Sequence, residues 1–161
     1  MGGRVAKSAH RIAFILDANV VIDYLRTDRS VLTLAANHLG RMIIAAPLIR
    51  EVRGLREDDC ANLGLTISSP TFGQLAEAAR NRGRLSFQDW LCLLLARESG
   101  AICVTNDRPL RHACEENGVQ IIWGLELMTK VAAKTIAERI HDANPRHVTS
   151  DILSRFRRRL R

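Results

Sequence analysis

The chain has 161 residues, 47% of them hydrophobic and 25% charged, with 24 Lys and Arg against 17 Asp and Glu and a formal charge of +7. That composition excludes a disordered or fibrous chain and fits one globular domain burying about two-thirds of its unfolded surface. With aromatics at 4%, the core must be aliphatic and base-stacking platforms are scarce, while the basic balance favours polyanionic partners through counterion release.

The first element is "RIAFILD" (11–17), a short apolar run without alternation that reads as a buried strand, and "ANVVIDYLR" (18–26) switches to helical spacing. Ser30 is placed to cap a second helix through "SVLTLAANHL", which ends at Gly40. "RMIIAA" (41–46) is the next strand, Pro47 opens a helix over "PLIREVRGL", and the polar "REDDCANLG" reads as a loop before a short strand "LTIS". Pro70 and Thr71 introduce a helix to about Gly83, and Ser86 caps a long one, "FQDWLCLLLARES", stopped by Gly100. A strand at 101–105, a helix through "RPLRHACEEN", a strand "VQIIW" and a helix from about Leu125 to His141 follow.

Short apolar strands alternating with helices predict a three-layer α/β/α sandwich around a parallel sheet. The tail "NPRHVTSDILSRFRRRLR" breaks at Pro145 and then carries Ile152, Leu153, Phe156 and Leu160 at helical spacing. It reads as an appended amphipathic helix with an Arg-rich end. The expected organisation is a basic segment over 1–10, the α/β domain over 11–141 and the basic helix within 142–161. Cys60, Cys92, Cys103 and Cys114 form no CxxC pair. Cys92 and Cys103 fall inside apolar runs, so core positions in a reducing cytoplasm are expected. "MGGRVAKSAHR" is basic without a following signal-peptide apolar region, and no apolar run approaches the ~20 residues of a membrane span.

Four carboxylates stand out. Asp17 and Asp107 close the first and fourth strands, at the edge where ligands bind in such sheets; Glu51 and Asp89 sit in early helix turns. Each has an ordinary structural reading. Asp17 and Asp107 are good N-caps, Asp89 lies three residues after Ser86 as in a capping box, and Glu51 suits a solvated helix face. Gathered together they would repel and their pKa values would rise unless a cation neutralised them, and an all-oxygen set suits Mg²⁺ or Mn²⁺ rather than Zn²⁺.

The segments "FILDANVVIDYL", "LIREV", "LSFQDWLCLLLA" and "ICVTNDRPLRHACEENGV" together resemble the successive motifs of PIN-domain ribonucleases over about residues 11 to 130. The resemblance implies that Asp17, Glu51, Asp89 and Asp107 are metal-binding and catalytic acids, with Asn19, Thr105 and Asn106 as supporting polar residues. It implies hydrolysis of RNA with one or two Mg²⁺ or Mn²⁺ ions. Small VapC-like members of this family are commonly homodimeric toxins, which would make an antitoxin protein a partner. Arg80, Arg82, Arg84, Arg108 and Arg111 flank the acids in sequence and serve either to hold RNA phosphates or simply to solvate the surface. "FILDANVV" also resembles the first motif of haloacid-dehalogenase-like phosphatases, but Asn19 stands where that motif needs its second Asp. A non-catalytic RNA-binding module of the PIN type is the other alternative.

Overall fold

The computed structural model describes residues 12–81, 83–143, 145–146 and 149–159. The basic segment over 1–10, Arg82 and Leu160 therefore lie outside the described residues. Five strands, β1 (Ala13–Leu16), β2 (Arg41–Ala45), β3 (Leu65–Ser68), β4 (Ile102–Val104) and β5 (Ile121–Ile122), form one parallel sheet in the order β3-β2-β1-β4-β5. Their near-continuous apolar character follows from being covered on both faces: Ile15, Leu16, Met42, Ile44, Cys103 and Val104 are essentially buried.

Helices α1 (Ala18–Thr27), α2 (Ser30–His38), α3 (Ala46–Ile49) and α4 (Glu57–Asn62) connect β1 to β2 and β2 to β3. Helices α5 (Phe72–Arg80), α6 (Phe87–Ser99) and α7 (Arg108–Glu116) serve the return across the sheet to β4 and β5. Since parallel crossovers are right-handed, the reversal of direction after β3 puts the second group on the opposite face. The packing agrees: α6 lies over β1, β2 and β4 between α5 and α7, while α8 (Gly124–Ala143) returns to pack on α2. The result is the expected α/β/α sandwich. Helix α9 (Ser150–Arg159) extends it by packing on α8, with Leu153 buried and Arg157 donating to Glu138 at 2.8 Å.

Several local expectations hold. Ser86 caps α6 and Gly100 closes it in the left-handed conformation (φ 66°). Asp107 caps α7, and Thr71 caps α5. All four cysteines are buried free thiols. Others need correction. "REDDCANLG" contains helix α4, because the Asp59 carboxylate accepts the Arg56 N–H (3.2 Å), three acids occupy its first turn, and Cys60 anchors it in the core. Ser30 lies within α2 rather than capping it; the Asp28 carboxylate accepts both its N–H (2.9 Å) and its hydroxyl (2.6 Å).

The helix expected over "PLIREVRGL" stops at Ile49. Beyond it the backbone makes i→i+3 bonds, Glu51 N–H to Leu48 and Val52 N–H to Ile49, and Gly54 takes φ +84°. Leu48, Ile49, Val52 and Leu55 remain buried, so the apolar spacing was genuine while the backbone is a chain of turns. "VQIIW" pairs only at Ile121 and Ile122, because its neighbour β4 is itself three residues long.

Candidate active site

The strand order reverses beside β1. From there the chain walks outward through β2 and β3, then returns to place β4 on the other side. The carboxyl ends of β1 and β4 therefore flank the topological switch point, where open α/β sheets hold their ligands. Asp17 directly follows β1 and Asp107 stands three residues after the end of β4, so the two acids fall on neighbouring strand ends. The Asp17 N–H donates to the Val104 carbonyl at 3.1 Å, which carries the sheet pairing right up to the site.

Asp17 takes an N-cap backbone conformation but its side chain makes no capping hydrogen bond. Its carboxylate is instead aimed at β4, where the buried Thr105 hydroxyl donates to Oδ2 at 2.9 Å. The same hydroxyl accepts the Asp107 N–H at 3.0 Å. One side chain thus couples both strand ends and orients Asp17. Burial raises the Asp17 pKa to about 6, with the Thr105 hydrogen bond opposing the rise, the charge of Asp89 adding to it, and the backbone amides of Asn19 and Ala18 opposing it more weakly.

Asp89 and Asp107 each spend one oxygen on the backbone. Asp89 Oδ2 accepts the Ser86 N–H (3.1 Å) in a capping box, and Asp107 Oδ2 accepts the Leu110 N–H (3.0 Å). The second oxygen of each accepts no hydrogen bond among the described residues. Glu51, on the turn after α3, has its pKa raised by partial burial and then by the charge of Asp89. One turn along α6, the fully buried Cys92 thiol is pushed up by burial and then by Asp17, Asp89 and Glu51. The influence of Asp89 on both Asp17 and Glu51, and the influence of all three on Cys92, places them around one end of α6. No arginine or histidine among the described residues forms an ion pair with any of the four acids, although the chain carries 24 basic residues.

Among the described residues, no three acidic, histidine or cysteine side chains stand close enough to cage an ion together. Mg²⁺ does not require such a cage, because it keeps several waters and is commonly held by one or two carboxylates plus substrate phosphate. The donor chemistry fits: hard oxygens, a buried carboxylate whose pKa is raised toward neutral pH, and negative charge that no ion pair among the described residues balances.

The remaining expected residues divide. Asn19 is exposed on the first turn of α1. Asn106 turns away from the acids: its carbonyl accepts the Gly124 N–H (3.0 Å) and its amide donates to Asp23 (3.4 Å). With the Tyr24 hydroxyl donating to the Gly124 carbonyl at 2.7 Å, it clasps the start of α8 against α1. Arg84 and Arg108 line a groove of about 720 Å³ with Trp90 and His112, beside Asp107 in sequence. Arg111 is spread over the Trp123 ring, 3.6 Å from its centroid. Sequence reading passed over Arg26, Arg29 and Arg53, which line a separate cavity together with Glu51. Nothing in their spacing marks them; only the folded chain brings the α1 end and the α3–α4 turn together.

The Thr105 bridge gives a direct expectation. Thr105→Val preserves shape but removes the side-chain donor to the Asp17 carboxylate and the acceptor of the Asp107 N–H, which costs about 1–3 kcal/mol. Because the lost bond favours the ionised acid, the Asp17 pKa is expected to climb further above 6. Chemical denaturation and a carboxyl titration followed by NMR check the two effects together.

No family model and no curated protein matches the chain by sequence. Solved structures do match. A PilT N-terminus domain protein from the hyperthermophilic archaeon Sulfolobus solfataricus P2 superposes with a TM-score of 0.59 at 16% identity, over 74% of this chain and 93% of that one. A protein of Pyrobaculum aerophilum superposes with a TM-score of 0.54 at 22% identity, over 78% of this chain and 98% of its own. With the sheet order, the switch point and the helical layers already in view, these likenesses identify the architecture: the chain has the fold of a PilT N-terminus, or PIN, domain.

Proposed function

We propose that the protein is a Mg²⁺- or Mn²⁺-dependent endoribonuclease acting at the carboxyl ends of β1 and β4. One observation carries the reading. Asp17 is buried at the switch point with its pKa raised to about 6, Asp89 acts on both it and Glu51, and no arginine or histidine among the described residues forms an ion pair with these acids. A protein does not maintain that arrangement for stability; it suits a place where an external cation neutralises the carboxylates.

Asp17 and Asp107 are assigned as direct ligands, with Glu51 and Asp89 binding directly or through water. A divalent ion held by these carboxylates would supply positive charge to lower the pKa of a bound water and to offset charge on the scissile phosphate. Thr105 fixes the Asp17 rotamer, and the α6 and α7 caps fix Asp89 and Asp107 so that each presents its second oxygen. Arg84 and Arg108, exposed on the Asp107 side, would hold flanking phosphates.

A non-catalytic RNA-binding module is the competing reading, and the uncompensated acids disfavour it. A toxin role with an antitoxin partner, and a homodimer, are carried by the resemblance to VapC-like proteins. The exposed Ile136, Ile140, Ile152 and Phe156 on α8 and α9 would give either protein partner an apolar surface. Among the described residues no helix is long and apolar enough to cross a membrane, in keeping with the cytoplasmic setting proposed for such an enzyme.

The deciding experiment incubates a structured RNA with the protein in Mg²⁺, in Mn²⁺ and in EDTA. Cleavage in either metal, abolished by EDTA, is the expected result. Binding without cleavage under every condition would establish the non-catalytic module instead.

A further inference from the structure

Gly124 opens α8 and is held by both of its backbone polar groups. Its N–H donates to the Asn106 side-chain carbonyl at 3.0 Å, and its own carbonyl accepts the Tyr24 hydroxyl at 2.7 Å. The Asn106 amide reaches on to the Asp23 carboxylate at 3.4 Å, so α1, the turn between β4 and α7, and α8 meet at one residue. The fit excludes a side chain there. A Cβ on Gly124 would stand 3.2 and 3.3 Å from the polar ends of Asn106 and 3.5 Å from the Tyr24 hydroxyl. Burial, and after it the charge of Asp23, pushes the Tyr24 pKa up, so the hydroxyl stays a donor at working pH. Helix α8 has its own anchorage, packing on α2 with Leu127 and Val131 buried. The purpose of the clasp therefore lies in the turn it grips.

Asn106 stands between Thr105, whose hydroxyl donates to Asp17, and Asp107, whose N–H donates to the same hydroxyl. The Thr105 N–H is tied to the Ile122 carbonyl at 3.2 Å, and the Asp107 carbonyl accepts the Arg111 N–H at 3.1 Å. Among the described residues the Asn106 backbone makes no hydrogen bond. Its side chain is thus the hold on the two soft dihedrals between those neighbours. From this juxtaposition we infer that Tyr24, Asn106 and Gly124 form a positioning clasp for Asp107. By pinning the intervening residue to the start of α8, they fix where the Asp107 carboxylate stands relative to Asp17. The α7 cap sets the Asp107 side chain, and the clasp sets the backbone that carries it. This inference rests on the ribonuclease reading, because a metal shared by the two carboxylates is what would sense their spacing. Mg²⁺ demands near-ideal octahedral geometry, and a misplacement of about 1 Å at a reacting centre costs about 100-fold. Asn106 turns away from the acids and Tyr24 is buried against α8, so both act through Asp107.

The test compares wild type with Asn106→Ala, Tyr24→Phe, Gly124→Ala, Asp107→Asn and the Tyr24→Phe/Asp107→Asn pair. Each protein is measured for melting temperature, for Mn²⁺ affinity by electron paramagnetic resonance of the free ion, and for kcat and KM on a fluorescein-labelled oligoribonucleotide. Asn106→Ala should lose about 10–100-fold in Mn²⁺ affinity and in kcat, the range of outer-shell substitutions at metal sites, with KM little changed. Tyr24→Phe and Gly124→Ala should shift both quantities in the same direction by less. In the Asp107→Asn background Tyr24→Phe should cost no further Mn²⁺ affinity, because residues acting through one group do not add. Tyr24→Phe keeps the buried ring, so it keeps the test decisive should Asn106→Ala fold poorly. Losses confined to melting temperature, with Mn²⁺ affinity and kcat at wild-type values, would overturn the positioning role alone and leave the clasp as a helix anchor. Full additivity with Asp107→Asn would also overturn it, since the clasp would then act elsewhere. A wild type that neither binds Mn²⁺ nor cleaves RNA would overturn the ribonuclease reading and the positioning role with it.

Discussion

Asp17→Asn is expected to stabilise the protein while abolishing metal-dependent cleavage. The sign follows from the raised pKa: the folded state holds its proton up to about pH 6, whereas the unfolded chain releases it near 3.8. Between those values the folded state binds the extra proton, so stability falls as pH rises through the window, and above pH 6 the full penalty is present. At neutral pH that penalty is about 3 kcal/mol as an upper bound, since each pKa unit corresponds to 1.36 kcal/mol. Asn is nearly the same size and its carbonyl can accept the Thr105 hydroxyl, so the variant escapes the penalty. Its melting temperature at pH 7 should rise by about 6–12 °C, and the difference from wild type should vanish near pH 4. Millimolar Mg²⁺ should reverse the order by stabilising wild type, where it binds the folded state, and leaving the variant unmoved. A variant less stable than wild type at pH 7, with no response to Mg²⁺ in either protein, would make Asp17 a structural residue.

The fold was readable because both faces of the sheet are covered. "AFIL", "MIIA" and "ICV" are unbroken apolar runs, and the helices between them carry caps at Thr71, Ser86 and Asp107 that the folded chain uses. What misled sequence reading was local. Val52 and Leu55 keep a helical apolar spacing, yet Gly54 and successive i→i+3 bonds turn the segment, so Glu51 stands on a turn rather than on a helix. The acidic "REDD" reads as solvent-loving loop, but charge at a helix N-terminus is stabilising and gives α4 its first turn. At the site, the positions of Asp17 and Asp107 followed from topology alone, because a parallel sheet sends both strand ends to one edge. The Thr105 bridge did not follow. That hydroxyl directly follows β4 but lies 88 residues from the Asp17 carboxylate it reaches across to, and nothing in "VTND" reveals which side chain turns inward and which, like Asn106, turns to α8. The gathering of Arg26, Arg29 and Arg53 around one cavity is non-local in the same sense.

Asp107 separates capping from chemistry, because the structure shows it performing the first while the proposed mechanism requires the second. Its Oδ2 accepts the Leu110 N–H at 3.0 Å, and Asn caps helices about as well as Asp. Asp107→Asn should therefore fold with little change in melting temperature. Asp107→Ala loses the cap and should cost about 1 kcal/mol. Both remove the charge offered by the second oxygen, so both should lose metal-dependent cleavage by about 100-fold or more, at or beyond the upper end of the effect of outer-shell substitutions at metal sites. RNA binding in EDTA should be unchanged or slightly tighter in each, since one anion has left a site that faces a polyanion. Cleavage and stability then move independently across the pair: two variants equally inactive, only one of them destabilised. If Asp107→Asn cleaves RNA at the wild-type rate and only Asp107→Ala is impaired, the aspartate works through the N-terminus of α7 alone. The metal would then be held on the Asp17, Glu51 and Asp89 side.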